Sequence, residues 1–134
     1  MDNNVIKEYC HAIKNKAAMG DFATGLSLAG RLVYSFPNSE KGYYYRGVCY
    51  YGLQQYNEAI TNYKIALSLD PLFAKAYFNL ASCYQQVRDF DSALVAIGKA
   101  LILFSKQGKE DGKSRCIEAI NFIEIGRPRW WISE

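Results

Sequence analysis

The chain repeats itself with a period of 34 residues, and that repetition limits its fold more than any other feature. Residues 42–71 and 75–104 carry the two clearest copies. Shifted by 34, Tyr43 meets Tyr77, Cys49 meets Cys83, Tyr50 meets Tyr84 and Tyr56 meets Phe90. Ala59 meets Ala93, and Ala66 meets Ala100. One period earlier, Tyr9, Phe22 and Pro37 stand where Tyr43, Tyr56 and Pro71 stand in the second copy. Three units therefore span about 6–39, 40–73 and 74–107. A period of this length marks a chain whose units stack and bury one another's apolar faces.

Each unit reads as two helices. Small residues such as Ala59, Ala66, Ala93 and Ala100 recur where two helices must approach closely, and the large rings fill the gaps between them. Breakers fall between: Gly20-Asp21, Pro37-Asn38, Leu53-Gln54-Gln55, Asp70-Pro71 and Arg88-Asp89. This spacing predicts helices over 4–19, 22–35, 40–53, 56–69, 74–87 and 90–105. A seventh, over 109–125, belongs to no full unit. Its stripe of Cys116, Ile117, Ile120 and Ile123, at spacings of three and four, would cover the open face of the last unit. Gly126 and Pro128 stop it. Gly25 and Gly30 weaken the second helix of the first unit, at about 1 kcal/mol each relative to alanine.

This pattern resembles the tetratricopeptide repeat (TPR) family, whose units are antiparallel helix pairs. The second copy supplies Tyr43, Gly47, Tyr50, Ala59, Tyr63, Ala66 and Pro71 to the family pattern, but sets Arg46 where a leucine is usual. The third supplies Tyr77, Leu80, Ala81, Tyr84, Ala93, Ile97 and Ala100. The first is worn, with Tyr9, Ala12, Ile13, Lys16, Gly25, Ala29, Leu32 and Pro37 at these positions. The resemblance implies an all-α, right-handed solenoid of three helix pairs plus one terminal helix, a single domain over 1–134 with its tail at 126–134. It implies a non-enzymatic protein-interaction module, and it is nearly silent about the ligand.

Residues 42–52, GYYYRGVCYYG, hold five tyrosines. Tyr43 and Tyr50 occupy pattern positions and are assigned to packing between helices. Tyr44, Tyr45 and Tyr51 are surplus to the repeat. In the TPR family the first helix of each unit lines a concave groove. Carried onto this chain, the groove positions hold Lys7, Cys10, His11, Lys14 and Ala17 in unit one. Unit two gives Lys41, Tyr44, Tyr45, Val48 and Tyr51, and unit three gives Lys75, Phe78, Asn79, Ser82 and Gln85. None is acidic. Lysines would steer an acidic partner, the rings would anchor it, and Asn79 could hydrogen-bond an extended backbone. The candidate partner residues are Lys7, His11, Lys14, Lys41, Tyr44, Tyr45, Tyr51, Lys75, Phe78, Asn79, Trp130 and Trp131. Some family members clamp a chaperone's C-terminal carboxylate with Lys, Asn, Asn, Lys and Arg. The corresponding residues here are Cys10, Lys14, Tyr45, Lys75 and Asn79, so only Lys75 matches and that clamp is not expected.

No catalytic constellation emerges. His11 is the sole histidine, no nucleophile is supported by any motif, and neither a phosphate-binding glycine loop nor HExxH occurs. The four cysteines are widely spaced, with no CxxC pair; Cys49 and Cys83 read as small core fillers. No cofactor or metal is expected. A net charge of +3, with no arginine in the groove set, argues against nucleic acid. The N-terminal stretch does not read as a secretory signal, and no apolar run reaches the roughly 18 residues of a membrane span. The expected setting is cytoplasmic. Both tryptophans of the chain sit in GRPRWWISE (126–134). They either fold back on the terminal helix or present an anchor to a partner. The reading is an adaptor, assembly factor or cochaperone-like scaffold that binds a peptide or helix of a partner. The alternative is a unit that self-associates into a homo-oligomer through the groove or the Trp-rich tail.

Overall fold

The computed structural model describes residues 2–126. Among them are seven α-helices and no strand. They are α1 (Asp2–Ala18), α2 (Phe22–Ser35), α3 (Glu40–Gly52), α4 (Tyr56–Leu69), α5 (Ala74–Gln86), α6 (Phe90–Lys106) and α7 (Glu110–Gly126). All the expected helices are present, and α2 and α4 begin and end where the breakers put them. α1 starts earlier than expected, because nothing in Asp2-Asn3-Asn4 forbids a helix and the Asp2 carboxylate suits its positive end.

The 34-residue period is visible in the backbone itself. Gly20, Gln54 and Arg88 stand one period apart, and all three are left-handed, with φ of 77°, 61° and 64°. Each ends the first helix of its unit in the same way. The next residue's N–H reaches back five positions: Asp21 to the Lys16 carbonyl at 2.8 Å, Gln55 to Tyr50 at 2.9 Å, Asp89 to Tyr84 at 2.9 Å. This is the Schellman closure, which satisfies carbonyls the helix would otherwise orphan. Asp21 and Asp89 then cap the following helices, each accepting a backbone N–H three residues on, from Thr24 and Ser92, at 3.2 Å.

Contacts divide the chain into two compact units, Met1–Phe73 and Ala74–Glu134. In the first, α1 packs on α2, α3 packs on α1, α2 and α4, and no face of α3 is left wholly open. Its core holds Ile13, Ala29, Leu32, Cys49, Ala59, Tyr63 and Ala66. Glycine permits the closest approaches. A Cβ on Gly47 would lie 2.8 Å from the Tyr63 ring, and one on Gly52 would lie 2.3 Å from the Phe22 ring. One polar pair interrupts this core: the Arg46 Nε donates to Asn62 Oδ1 at 2.7 Å, and Asn62 Nδ2 donates to the Glu58 carbonyl at 2.8 Å. The Arg46 guanidinium also lies 5.5 Å from the Tyr43 ring centroid.

In the second unit α6 packs on both α5 and α7 around Ala81, Cys83, Ala93, Ile97, Ala100, Phe104, Cys116 and Ile123. The stripe expected on α7 is corrected at one position. Cys116 and Ile123 are buried, Ile120 is half-buried, and Ile117 is 44% exposed. The packed face runs instead through Gly112, where a Cβ would lie 2.5 Å from the Phe104 ring, and this turns Ile117 away from α6.

Candidate functional site

In the first unit α1 and α3 lie side by side, and they carry most of the candidate residues. Lys7, His11 and Lys14 recur every three or four residues along α1, so they share one face, and all three are exposed. Lys41 stands in the first turn of α3, half-buried. Lys7 and Lys41 both line an open cavity of about 600 Å³ at one end of this pair, together with Ile6, Phe36, Pro37 and the acids Asp2 and Glu40.

The tyrosines sort differently from the expectation. Tyr44 and Tyr45 are each only 9% exposed, whereas Tyr43, Tyr50 and Tyr51 are half-buried. Two of the three residues taken as surplus to packing, Tyr44 and Tyr45, are therefore the more buried, and the third, Tyr51, is half-buried like Tyr43 and Tyr50. The reason lies in α3, which is flanked by α1, α2 and α4; the expectation treated it as a helix with one open face. Tyr44 and Tyr45 stand edge to face at 5.0 Å between centroids. Tyr44 also meets Tyr63 at 5.8 Å and Phe73 at 4.6 Å. The Lys41 ammonium lies 4.9 Å from the Phe73 centroid. Tyr51 stands edge to face with Tyr56 at 5.4 Å. Phe73 was missed by sequence reasoning. The only signal was a second large apolar residue, after Leu72, in a turn that should be polar.

Burial shapes the chemistry of this cluster. It pushes the Tyr45 phenol well above its ordinary range, with smaller contributions from Cys10 and Tyr44. It also raises the half-buried Cys10 thiol, against the lowering pull of Lys41 and then Lys14. Cys49 is pushed up to about 11 and Cys83 to about 12, both by burial alone. These thiols stay protonated near neutrality and are poor nucleophiles. Among the described residues no group of His, Cys, Asp or Glu side chains could hold a metal ion, and no helix is long and apolar enough to cross a membrane.

In the second unit Lys75 is exposed on α5, while Phe78 and Asn79 are half-buried. The Arg115 guanidinium of α7 lies 5.0 Å from the Phe78 centroid. Arg115 was not among the candidates, because nothing local to α5 announces a partner from another helix. Trp130 and Trp131 lie outside the described residues.

Three solved structures resemble the chain across nearly its whole length. The translocator chaperone SycD of the Yersinia enterocolitica type III secretion system is 17% identical, with a TM-score of 0.84 over 93% of this chain and 87% of that one. PcrH, known from Pseudomonas aeruginosa and solved with the chaperone-binding region of PopD, is 17% identical, with a TM-score of 0.84 over 93% of this chain and 95% of that one. The TPR2B domain of yeast Sti1, in complex with pHsp70, is 20% identical, with a TM-score of 0.85 over 91% of this chain and 98% of that one. At these identities the likeness is one of fold. Residues 47–87 match the family described as TPR repeat, and residues 74–103 match the tetratricopeptide repeat.

Proposed function

The chain is a tetratricopeptide-repeat protein, and on that premise we propose that it is a non-enzymatic binding module that holds a peptide or helix of a partner protein. The observation that carries this reading is the α1–α3 face of the first unit. Three exposed cationic or imidazole side chains, Lys7, His11 and Lys14, share one face of α1, and on the adjoining α3 Lys41 stands over Phe73 at the edge of the packed cluster of Tyr44, Tyr45 and Phe73. Exposed cations on a face that also carries half-buried rings, Phe73 and Tyr51, suit an acidic and apolar segment: the charges speed encounter, and the accessible ring edges offer anchors. Tyr51 extends this surface, and Lys75, Phe78, Asn79 and Arg115 offer a similar mixture in the second unit. Proteins of this fold have been solved with parts of other proteins: SycD with a peptide of the translocator YopD, PcrH with the chaperone-binding region of PopD, and the TPR2B domain of Sti1 in complex with pHsp70. A chaperone-like or adaptor role in a cytoplasmic setting follows by analogy.

The test is a pull-down from native cell extract with the wild type and a Lys7→Glu/Lys14→Glu variant. Both side chains are exposed, so the variant keeps its core. Alanine at Tyr44 and Tyr45 would instead open cavities. A partner captured by the wild type and lost by the variant supports the reading. Equal capture moves the site to the second unit or to Trp130 and Trp131. The second reading, a homo-oligomer, draws on SycD, which has been crystallised as an alternative dimer. Light scattering over a dilution series tests it: a monomer throughout the micromolar range rules it out.

A further inference from the structure

Tyr34, on α2, is 90% exposed, more than any other large hydrophobic side chain among the described residues. It does not stand alone. With Tyr9 of α1 it lines an open groove of about 510 Å³, completed by Ser27, Gly30, Arg31 and Ser35. Ser27, Gly30, Arg31 and Tyr34 lie on the side of α2 opposite its buried Gly25, Ala29 and Leu32. Tyr9 lies on the side of α1 opposite Lys7, His11 and Lys14, so this groove is separate from the α1–α3 face.

Gly30 lines the groove without serving the packing. A mid-helix glycine weakens its helix relative to alanine. At Gly25 the packing requires one, because a Cβ there would lie 2.8 Å from Cys49 Sγ. At Gly30 a Cβ would meet nothing within 4 Å, so what its absence keeps open is the groove itself. Among the described residues no hydrogen bond, ion pair or ring contact engages the side chain of Tyr34 or Arg31.

The polar groups select the guest. Arg31 alone among the lining residues is charged, and no carboxylate faces it there. Its guanidinium only donates, and the two phenols and two serine hydroxyls can donate as well. A proline-rich segment in the polyproline II conformation is the complement. Its carbonyls have no internal partner, its prolines bring no N–H, and its stiffness reduces the ordering that binding requires. Pyrrolidine rings pack into grooves lined by aromatic side chains. A carboxylate beside them would meet Arg31. We propose that the groove between Tyr9 and Tyr34 is a second docking surface, and that its guest is an acidic, proline-rich segment of a partner protein. This site stands apart from the α1–α3 face and does not depend on it.

The test is an amide NMR titration of the full chain with acetyl-Pro-Pro-Glu-Pro-Pro-Glu-Pro-Pro-amide. Two control peptides carry alanine for every proline or glutamine for every glutamate. The wild type is expected to bind the first peptide about tenfold more tightly than the alanine control, and more tightly than the glutamine control at low salt. Shifts should fall at residue 9 and at residues 27–35. Tyr34→Ala and Gly30→Leu change side chains on the open side of α2, so both should fold as the wild type does by circular dichroism. Each should weaken binding about tenfold, one by removing a ring and the other by filling the groove. Arg31→Glu should abolish the preference for glutamate over glutamine. Lys7→Glu/Lys14→Glu should bind the peptide as the wild type does, which separates this site from the α1–α3 face. The proposal is overturned if millimolar peptide causes no shifts, if the alanine control binds equally well, or if binding survives both Tyr34→Ala and Gly30→Leu. Shifts at residues 27–35 that grow with protein concentration in the absence of peptide also overturn it, because a second copy would then fill the groove.

Discussion

The same substitution, glycine to alanine in mid-helix, should act in opposite directions at Gly30 and Gly47. In an exposed helix alanine is better than glycine by about 1 kcal/mol, through backbone entropy. At Gly30 a Cβ would meet nothing within 4 Å, so this gain should appear undiminished. At Gly47 the new Cβ would lie 2.8 Å from Cε1 of Tyr63 and 3.0 Å from its Cδ1 and Cζ. Tyr63 is 1% exposed, so its ring has no free space to retreat into. Overpacking of this kind costs about 1–3 kcal/mol, which cancels the propensity gain and leaves a net loss of up to about 2 kcal/mol. For a chain of this size 1 kcal/mol moves the melting temperature by roughly 3–5 °C. Gly30→Ala should therefore melt about 3–5 °C above wild type, and Gly47→Ala up to about 10 °C below it. Thermal unfolding followed by circular dichroism, with urea denaturation at 25 °C as a second measure, decides. If Gly47→Ala is stabilised as much as Gly30→Ala, the close α3–α4 approach described here is wrong.

Three further outcomes follow from other sites. Asn62→Ala leaves Arg46 without its partner and should cost about 1–3 kcal/mol in urea unfolding, whereas Arg46→Leu/Asn62→Ala, which copies Leu80 and Ala96 of the third repeat, should recover most of the loss. Gln54→Gly relieves a left-handed residue worth about 1–2 kcal/mol and returns about 0.5–1 kcal/mol in chain entropy, for a net stabilisation of about 0.5–1 kcal/mol. The thiols of Cys49 and Cys83, raised to about 11 and about 12 in the fold, lose their protons more readily when the chain unfolds. Their contribution is complete below about pH 9, the unfolded value, and erodes as pH rises through the folded values. Cys49→Ala and Cys83→Ala should therefore flatten the alkaline fall in melting temperature.

The helices were legible because the breakers repeat with the side chains: Gly20, Gln54 and Arg88 hold one backbone conformation at one phase of the period. The shared, exposed face of Lys7 and Lys14 on α1 was legible too, since an exposed charge on a helix needs only its wheel position to be placed. The tyrosines were not. Whether a ring on α3 is covered depends on how many helices surround it, and the wheel of one helix does not say. Phe73 and Arg115 were missed for a related cause: they reach the rings of Tyr44 and Phe78 from a turn and from another helix. Arg46 stood out as a departure from the repeat, but its partner lies sixteen residues on, in α4.

That polar pair also bears on how a repetitive chain finds its own partners while folding. Helices built to one pattern can pair wrongly, α3 with α6 or α5 with α4, and bury nearly the same surface. In the first error Arg46 would face Ala96 and lose its acceptor. In the second, Leu80 would face Asn62, whose amide oxygen would go unbonded. Only α3 with α4, and α5 with α6, leave neither mismatch. Arg46 and Asn62 thus work as an address written into otherwise interchangeable hairpins, directing each first helix to the second helix of its own unit.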